Sequence, residues 1–240
     1  MTRFKIGVLG IAGKMGAELK TCLEQSPFLE RFELVSAPLR GEPLEGLLES
    51  DVIVEFSSPD VVLELCRLIQ QAKGGRRPAL VVGATGWTEA QIQTLSEFAK
   101  VLPILRASNF SLGVMVAKLT LELWASFPEL KDWKSTIREW HHTRKKDAPS
   151  GTALTLRDAL RRSEPIESIR EGDIVGTHEV SLENEFERLT VIHTAKNRSV
   201  FASGALGAAL RLMSWLSEES NAELPRRELS LDDLYLRREA

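Results

Sequence analysis

The run Glu139-Trp140-His141-His142-Thr143-Arg144-Lys145-Lys146-Asp147-Ala148-Pro149-Ser150-Gly151-Thr152-Ala153 brings proton-transfer and anion-binding groups together in one short stretch. Imidazoles titrate near neutral pH and serve as general acids or bases, while neighbouring cations can stabilise negative charge as it develops. Ser150 suits a helix N-cap, which leaves the N–H groups of Gly151 and Thr152 pointing outward at a carboxylate or phosphate. The histidines stand at the end of a strand-like run. Adjacent side chains on a strand face opposite ways, so His141 and His142 do different work. A metal centre is the competing use, but adjacent histidines lack the i, i+4 spacing of a helical ligand pair and no cysteine lies nearby, so none is expected. A basic, solvated loop is the plain alternative.

A second chemical signal opens the chain. Gly7-Val8-Leu9-Gly10-Ile11-Ala12-Gly13-Lys14-Met15-Gly16 places glycines at spacing three between a strand and a helix. Such a turn lets backbone approach a pyrophosphate and aims a helix N-terminus at it. A nucleoside-triphosphate loop fails here, because Val8 stands where the first glycine is required and Met15 where Ser or Thr must hold Mg²⁺. A dinucleotide site usually has Asp or Glu after the second strand, to hold the adenosine ribose. Ser36-Ala37-Pro38-Leu39-Arg40 has no carboxylate, and Arg40 is positioned to meet a 2′-phosphate instead, unless it is an ordinary surface arginine. Gly83-Ala84-Thr85-Gly86 and Ala107-Ser108-Asn109-Phe110 follow later strands, and Phe110 is a candidate to lie against a nicotinamide ring.

Those positions need a frame. Strand-like runs at 4–9, 32–37, 51–56, 79–82 and 101–106 alternate with helical patterns, among them one capped by Ser58-Pro59 and one opened by a Thr88–Gln91 capping box. Alternation with short links predicts a doubly wound parallel sheet whose ligand lies beyond the strands' carboxyl ends, where the strand order reverses. The pattern then changes. A helix over 113–127, a strand over 135–141, a helix over 151–162 and an antiparallel pair at 179–182 and 189–193 predict an α+β unit, and a last helix covers 206–216.

Composition sets the limits. The 240 residues are enough to bury a sizeable core, and 31 Lys and Arg against 34 Asp and Glu leave a formal charge of −3. That charge argues against a nucleic-acid binder or an anionic-membrane binder. Cys22 and Cys66 fall in apolar helical runs and read as buried small hydrophobes. No apolar run approaches the roughly 18 residues of a membrane span, and the first stretch, broken by Lys5 and Gly7, has no secretory pattern; a cytoplasmic protein is expected.

The string EWHHTRKKDAPSGTA resembles the hallmark of the dihydrodipicolinate (4-hydroxy-tetrahydrodipicolinate) reductase family, in which the pattern is E-x-H-H-x-x-K-x-D-A-P-S-G-T-A. DVIVEFSSPD, GATGWT, SNFSLGV, GDIVGTHEV and IHTAKNRSVFASGAL follow the family's order, so the resemblance spans about residues 4 to 210 and only loosely includes the tail. It implies an α/β fold: a doubly wound, Rossmann-type dinucleotide-binding domain over 1–109 plus 207–240, and an inserted α+β domain with a mostly antiparallel or mixed sheet over 110–206. The inserted domain would bind substrate and build a homotetramer. The resemblance further implies reduction of a small dicarboxylate by NADPH or NADH in lysine and diaminopimelate biosynthesis. His141 would be the general acid/base and Lys145 the proton donor. His142, Ser150, Gly151 and Thr152 would hold substrate carboxylates. Gly10, Ile11, Ala12, Gly13, Lys14, Met15, Gly83, Ala84, Thr85, Ala107, Ser108, Asn109 and Phe110 would line the cofactor. Two departures stand out: the acidic ribose ligand is missing, and the segment between the second and third strands is short. Another nicotinamide oxidoreductase with an inserted domain, or a dinucleotide-sensing protein without activity, would share the fold, but a sensor needs no proton donor.

Overall fold

The computed structural model describes residues 3–72, 77–218 and 226–236; the outermost residues of the expected first domain, 1–2 and 237–240, lie outside them, as do 73–76 and 219–225. The chain forms two compact units, Met1–Phe110 with Phe201–Ala240, and Ser111–Val200.

The first unit contains β1 (Phe4–Leu9), α1 (Lys14–Leu23), α2 (Phe28–Arg31), β2 (Phe32–Ser36), β3 (Val52–Glu55), α3 (Pro59–Gln71), β4 (Ala79–Val82), α4 (Glu89–Ala99) and β5 (Ile104–Arg106). All five strands are parallel, in the order β2-β1-β3-β4-β5. The order reverses between β1 and β3, so the turns leaving those two strands flank the crevice where such sheets take ligands. Every residue of β3 and β4 is buried, as a strand covered on both faces requires. One face (Ile6, Val8, Val52, Val54, Val81, Leu105) packs with Leu19 of α1. The other (Ile53, Leu80, Val82, Ile104) packs with Leu65, Cys66 and Ile69 of α3 and Leu95 of α4. Both cysteines are free and buried.

Several boundaries moved for identifiable reasons. Val101 is exposed in a turn, and β5 starts only after Pro103, which has no N–H to give a ladder. Ser58 begins α3 without a side-chain cap bond. Thr88 and Gln91 do make the reciprocal capping box of α4.

The second unit comprises α5 (Leu112–Ala125), β6 (Lys134–His141), α6 (Gly151–Ala159), β7 (Ile166–Arg170), β8 (Gly176–Glu183) and β9 (Arg188–Ala195). Its mixed sheet runs β7-β6-β8-β9, with β6 parallel to β7 and antiparallel to β8. The sequence reading missed β7, a half-exposed edge strand with no clean alternation. α6 stops at Ala159, short of the expected 162, because Arg161 takes a left-handed conformation (φ 57°). Ile137, Val180 and Leu182 of the sheet pack with Leu121 of α5 and Leu156 of α6.

The chain then returns to the first unit through α7 (Ser199–Glu218), followed by α8 (Leu231–Tyr235). α7 begins at Ser199 rather than 206, and Ala202, Ala205, Leu206, Ala209 and Leu212 complete the first face of the parallel sheet. By length and composition it is apolar enough to cross a membrane, contrary to the expectation that no run would qualify; its apolar inner face is part of this core.

Candidate functional site

In the first unit the glycine turn is shaped for close backbone approach. Gly10 has φ +89°, and a Cβ there would sit 2.8 Å from the Phe56 carbonyl oxygen leaving β3. A Cβ on Gly16 would meet the Gly10 oxygen at 2.3 Å, so α1 can lie this close to the turn only through a glycine. Gly13 is the N-cap of α1 and supplies no side chain, which leaves the first turn of the helix uncapped by side chains, with Ala12, Gly13 and Lys14 exposed and Ile11 and Met15 half-buried. An anionic pyrophosphate fits that cradle.

A buried carboxylate braces the neighbouring loops. Glu55, at the end of β3, accepts hydrogen bonds from the Ser57 N–H (2.9 Å), the Ser57 hydroxyl (3.0 Å) and the Ala84 N–H (2.9 Å). Burial pushes its pKa up, and these donors act against that rise. The turn of Gly83, Ala84 and Thr85 is thus tied to the end of β3, and a Cβ on Gly83 would strike the Phe56 ring at 2.3 Å. Ala107 donates its N–H to Val82 O (3.1 Å); Ser108 is exposed and Asn109 half-buried. Phe110 departs from expectation. Its ring is buried in the core, edge-on to Phe56 at 5.8 Å between centroids, and is not offered to a ligand. Arg40 is exposed in a turn with Gly41, where Leu39 N–H is held by the Glu42 carboxylate at 2.7 Å.

In the second unit the polar centre lies at one end of the sheet. Glu139 pairs with His178 and His178 with His193 in the strand register, so three strands present these side chains on one face. His141, two residues beyond Glu139, shares that face. The apolar rows of Ile137, Val180 and Val191 continue the same face into the core. Both helices that cover the face begin at its polar end. Ser111, the N-cap of α5, accepts from Val114 N–H and lies 3.1 Å from His193 Nε2. Ser150, the N-cap of α6, accepts from Ala153 N–H and lies 3.2 Å from His178 Nε2.

His141 Nδ1 is hydrogen-bonded to Glu139 Oε2. Its Nε2 lies against Gly176, where a Cβ would stand 3.0 Å away and crowd that nitrogen. Burial lowers the His141 pKa most, the bond and charge of Glu139 pull it back up, and Lys145 and Arg170 push it down; the net direction is below an ordinary histidine. Glu139 is fully buried, which alone would raise its pKa, yet hydrogen bonds from Arg170 and His141 hold it below the usual carboxylate range. Burial pushes His178 down to about 4.

Lys145 Nζ is 2.9 Å from both carboxylate oxygens of Asp147, close enough to His141 for its charge to act there. His142 donates its N–H to Ile174 O (2.7 Å), is half-buried and has an unpartnered Nδ1. Gly151 is exposed at the first position of α6 with open space around it, and Thr152 is half-buried beside it. The residues singled out in 139–153 therefore cluster with four that sequence reasoning passed over: Arg170, His178, His193 and Ser111. GDIVGTHEV and IHTAKNR had been noted as motifs, but only strand register brings their histidines beside His141. Among the described residues no group of His, Cys, Asp or Glu is arranged to hold a metal ion.

Two family models match the chain, the dihydrodipicolinate reductase N-terminus over residues 4–110 and the dihydrodipicolinate reductase C-terminus over 113–222. The 4-hydroxy-tetrahydrodipicolinate reductase of Bdellovibrio bacteriovorus is 36% identical over 226 residues, 91% of this chain and 93% of the relative. That of Stenotrophomonas maltophilia is 38% identical over 232 residues, 88% and 92% of the two chains. Among solved structures, a dipicolinate-bound dihydrodipicolinate reductase from Paenisporosarcina sp. shares the fold at a TM-score of 0.71 and 24% identity, covering 89% of this chain and 96% of its own.

Proposed function

The chain belongs to the dihydrodipicolinate reductase family and reduces 4-hydroxy-tetrahydrodipicolinate to tetrahydrodipicolinate in lysine biosynthesis, and from that premise we propose how its residues divide the reaction. The unit built from Met1–Phe110 and Phe201–Ala240 takes the nicotinamide cofactor, and the inserted unit, Ser111–Val200, takes the dicarboxylate. Gly10 to Met15 cradle the pyrophosphate against the N-terminus of α1, with the loops 83–85 and 107–109 beside it. When bound, the cofactor supplies the hydride.

The remaining steps are carried by the second unit. A dicarboxylate needs donors for its carboxylates, and the start of α6 (Ser150, Gly151, Thr152) with His142 supplies them. Once the 4-hydroxyl has left as water, hydride addition to the conjugated imine that remains puts negative charge on the ring, which a positioned acid must quench. Lys145 donates the proton and stabilises the charge, and neutral His141 takes that proton at Nε2 and hands it to the ring. The observation that carries this reading is a buried His141, anchored through Nδ1, at the same sheet end as Lys145 and the N-terminus of α6.

Three further parts belong to the proposal. NADPH serves at least as well as NADH, because no carboxylate in 36–40 repels a 2′-phosphate and exposed Arg40 can pair with one. The outer face of the second unit's sheet, which carries Trp140 and the 60% exposed Ile192, is the surface for a homotetramer. The enzyme works in the cytoplasm.

The test is turnover: mix the protein with NADPH and freshly generated product of dihydrodipicolinate synthase, and follow the absorbance at the nicotinamide band. Wild type should consume NADPH, and His141→Ala should lose about 10²–10⁴-fold in kcat. Near-native kcat in His141→Ala would remove His141 from the chemistry.

A further inference from the structure

Glu139 has no role in the mechanism above, yet its buried carboxylate is surrounded by directed partners. β6 sets it two residues from His141 on the same face, and one oxygen is bonded to His141 Nδ1. The other accepts from Arg170 Nη2 at 2.8 Å and from the Ser150 N–H at 3.3 Å. The same Arg170 nitrogen reaches the Asp147 carbonyl at 2.6 Å, and the Asp147 carboxylate holds Lys145 Nζ. We infer that Glu139 is a positioning residue for proton transfer: it selects the Nδ1–H tautomer of His141, leaving Nε2 over Gly176 for the substrate, and through Arg170 ties that orientation to the loop bearing Lys145.

The chemistry is simple. A neutral imidazole carries its proton on either nitrogen, and a carboxylate acceptor beside Nδ1 selects one form while fixing the ring plane. The carboxylate must stay ionised to do so, and the donors on its second oxygen ensure it. The charged and titratable groups facing His141 are Glu139 on its own strand, Arg170 on β7, Lys145 on the following loop and His178 on β8. His178 is not bonded to Glu139: its Nε2 is engaged by Ser150, its Nδ1 has no hydrogen-bond partner, and its ring stands edge-on to His141 at 5.2 Å.

The inference rests on His141 being the proton-transfer group, so Glu139→Gln is compared with His141→Ala in the full-length protein. For Glu139→Gln, kcat should fall by roughly 10–10³-fold with KM within about threefold, the pattern of a lost transition-state alignment. The limb of the pH profile set by His141 should shift to lower pH, because the anion that raises its pKa is gone. Glu139→Asp should recover part of the rate. Imidazole ¹⁵N spectra, tractable with 4 histidines, should show His141 as Nδ1–H in wild type and as a tautomer mixture in Glu139→Gln. If Glu139→Gln does not fold, the wild-type spectrum decides alone, and an Nε2–H form overturns the inference. Wild-type rate, pH profile and tautomer in Glu139→Gln, beside an inactive His141→Ala, would overturn it while leaving His141 in place. An active His141→Ala would overturn the underlying reading.

Discussion

Gly204 lies inside α7, where alanine would ordinarily be the better residue. Replacing a helical glycine by alanine gains about 1 kcal/mol, from reduced freedom in the unfolded chain and better helix propensity. At Gly204 the sign should reverse. A Cβ there would stand 1.8 Å from the Phe110 carbonyl oxygen and 2.8 Å from its carbon, and contacts under 3.0 Å are essentially never seen. Helix or loop must retreat by more than an ångström, and the obstacle is backbone, which cannot rotate away. Overpacking of this kind costs about 1–3 kcal/mol, and a backbone clash belongs at the upper end. The net expectation is a loss of about 1–2 kcal/mol, or about 2–8 °C in Tm for a unit of this size. Gly207, one turn further along, is the control. Its Cβ would meet only Tyr235 Oη, at 3.6 Å, an ordinary contact, so Gly207→Ala should raise Tm by about 1–4 °C. Scanning calorimetry of both variants, with KM for NADPH as a second readout of the 107–110 loop, is the assay. Gly204→Ala melting at or above wild type would refute the packing argument, as would Gly207→Ala falling in step with it.

Other outcomes follow from the same geometry. Lys145→Ala should lower kcat about 10²–10⁴-fold with little change in KM, whereas Thr152→Trp should raise KM by crowding the start of α6; steady-state kinetics would reveal the reverse split. Arg40→Ala should lower kcat/KM for NADPH relative to NADH by about tenfold or less, an effect that shrinks with salt; an unchanged ratio would return Arg40 to the ordinary surface. His178, with its pKa pushed from 6.5 to about 4, is neutral in the fold and charges on unfolding. Its contribution is present above pH 6.5 and is lost as pH falls toward 4, at up to about 1.4 kcal/mol per pH unit. Denaturant unfolding of His178→Gln should therefore depend on pH less steeply than wild type across that window; parallel curves would place the acid sensitivity elsewhere.

What the sequence revealed depended on how local the signal was. The glycine turn, the Thr88–Gln91 box and the continuously apolar strands are each encoded within a few residues, and each appears where it was read. The partners of His141 are not local. His178 and His193 lie far along the chain, and only the β6–β8–β9 register sets them on one face. Glu55 looked like one more residue of a buried strand until the loops it braces were in place. Phe110 was misjudged because an aromatic after a strand end serves a core as readily as a ligand, and here Phe56 and α7 claim it. Gly204 carried no signal at all, since nothing in its neighbourhood along the chain says that a carbonyl from residue 110 will arrive there.

The parallel sheet owes one of its two coverings to α7, and that fact reaches back to how the protein is made. Ile6, Val8, Val52, Val54 and Val81 emerge from the ribosome early, but Ala202 to Leu212, which pack over them, begin 121 residues after Val81 and 196 after Ile6. At roughly 5–20 residues per second, that apolar face waits on the order of ten seconds for its cover. The inserted unit, by contrast, is one uninterrupted stretch, Ser111–Val200, with its core and histidine row complete within it. Synthesis therefore delivers a finished second unit before the first can close, and the interval in which a half-covered sheet is open to wrong partners is set by the length of the insertion.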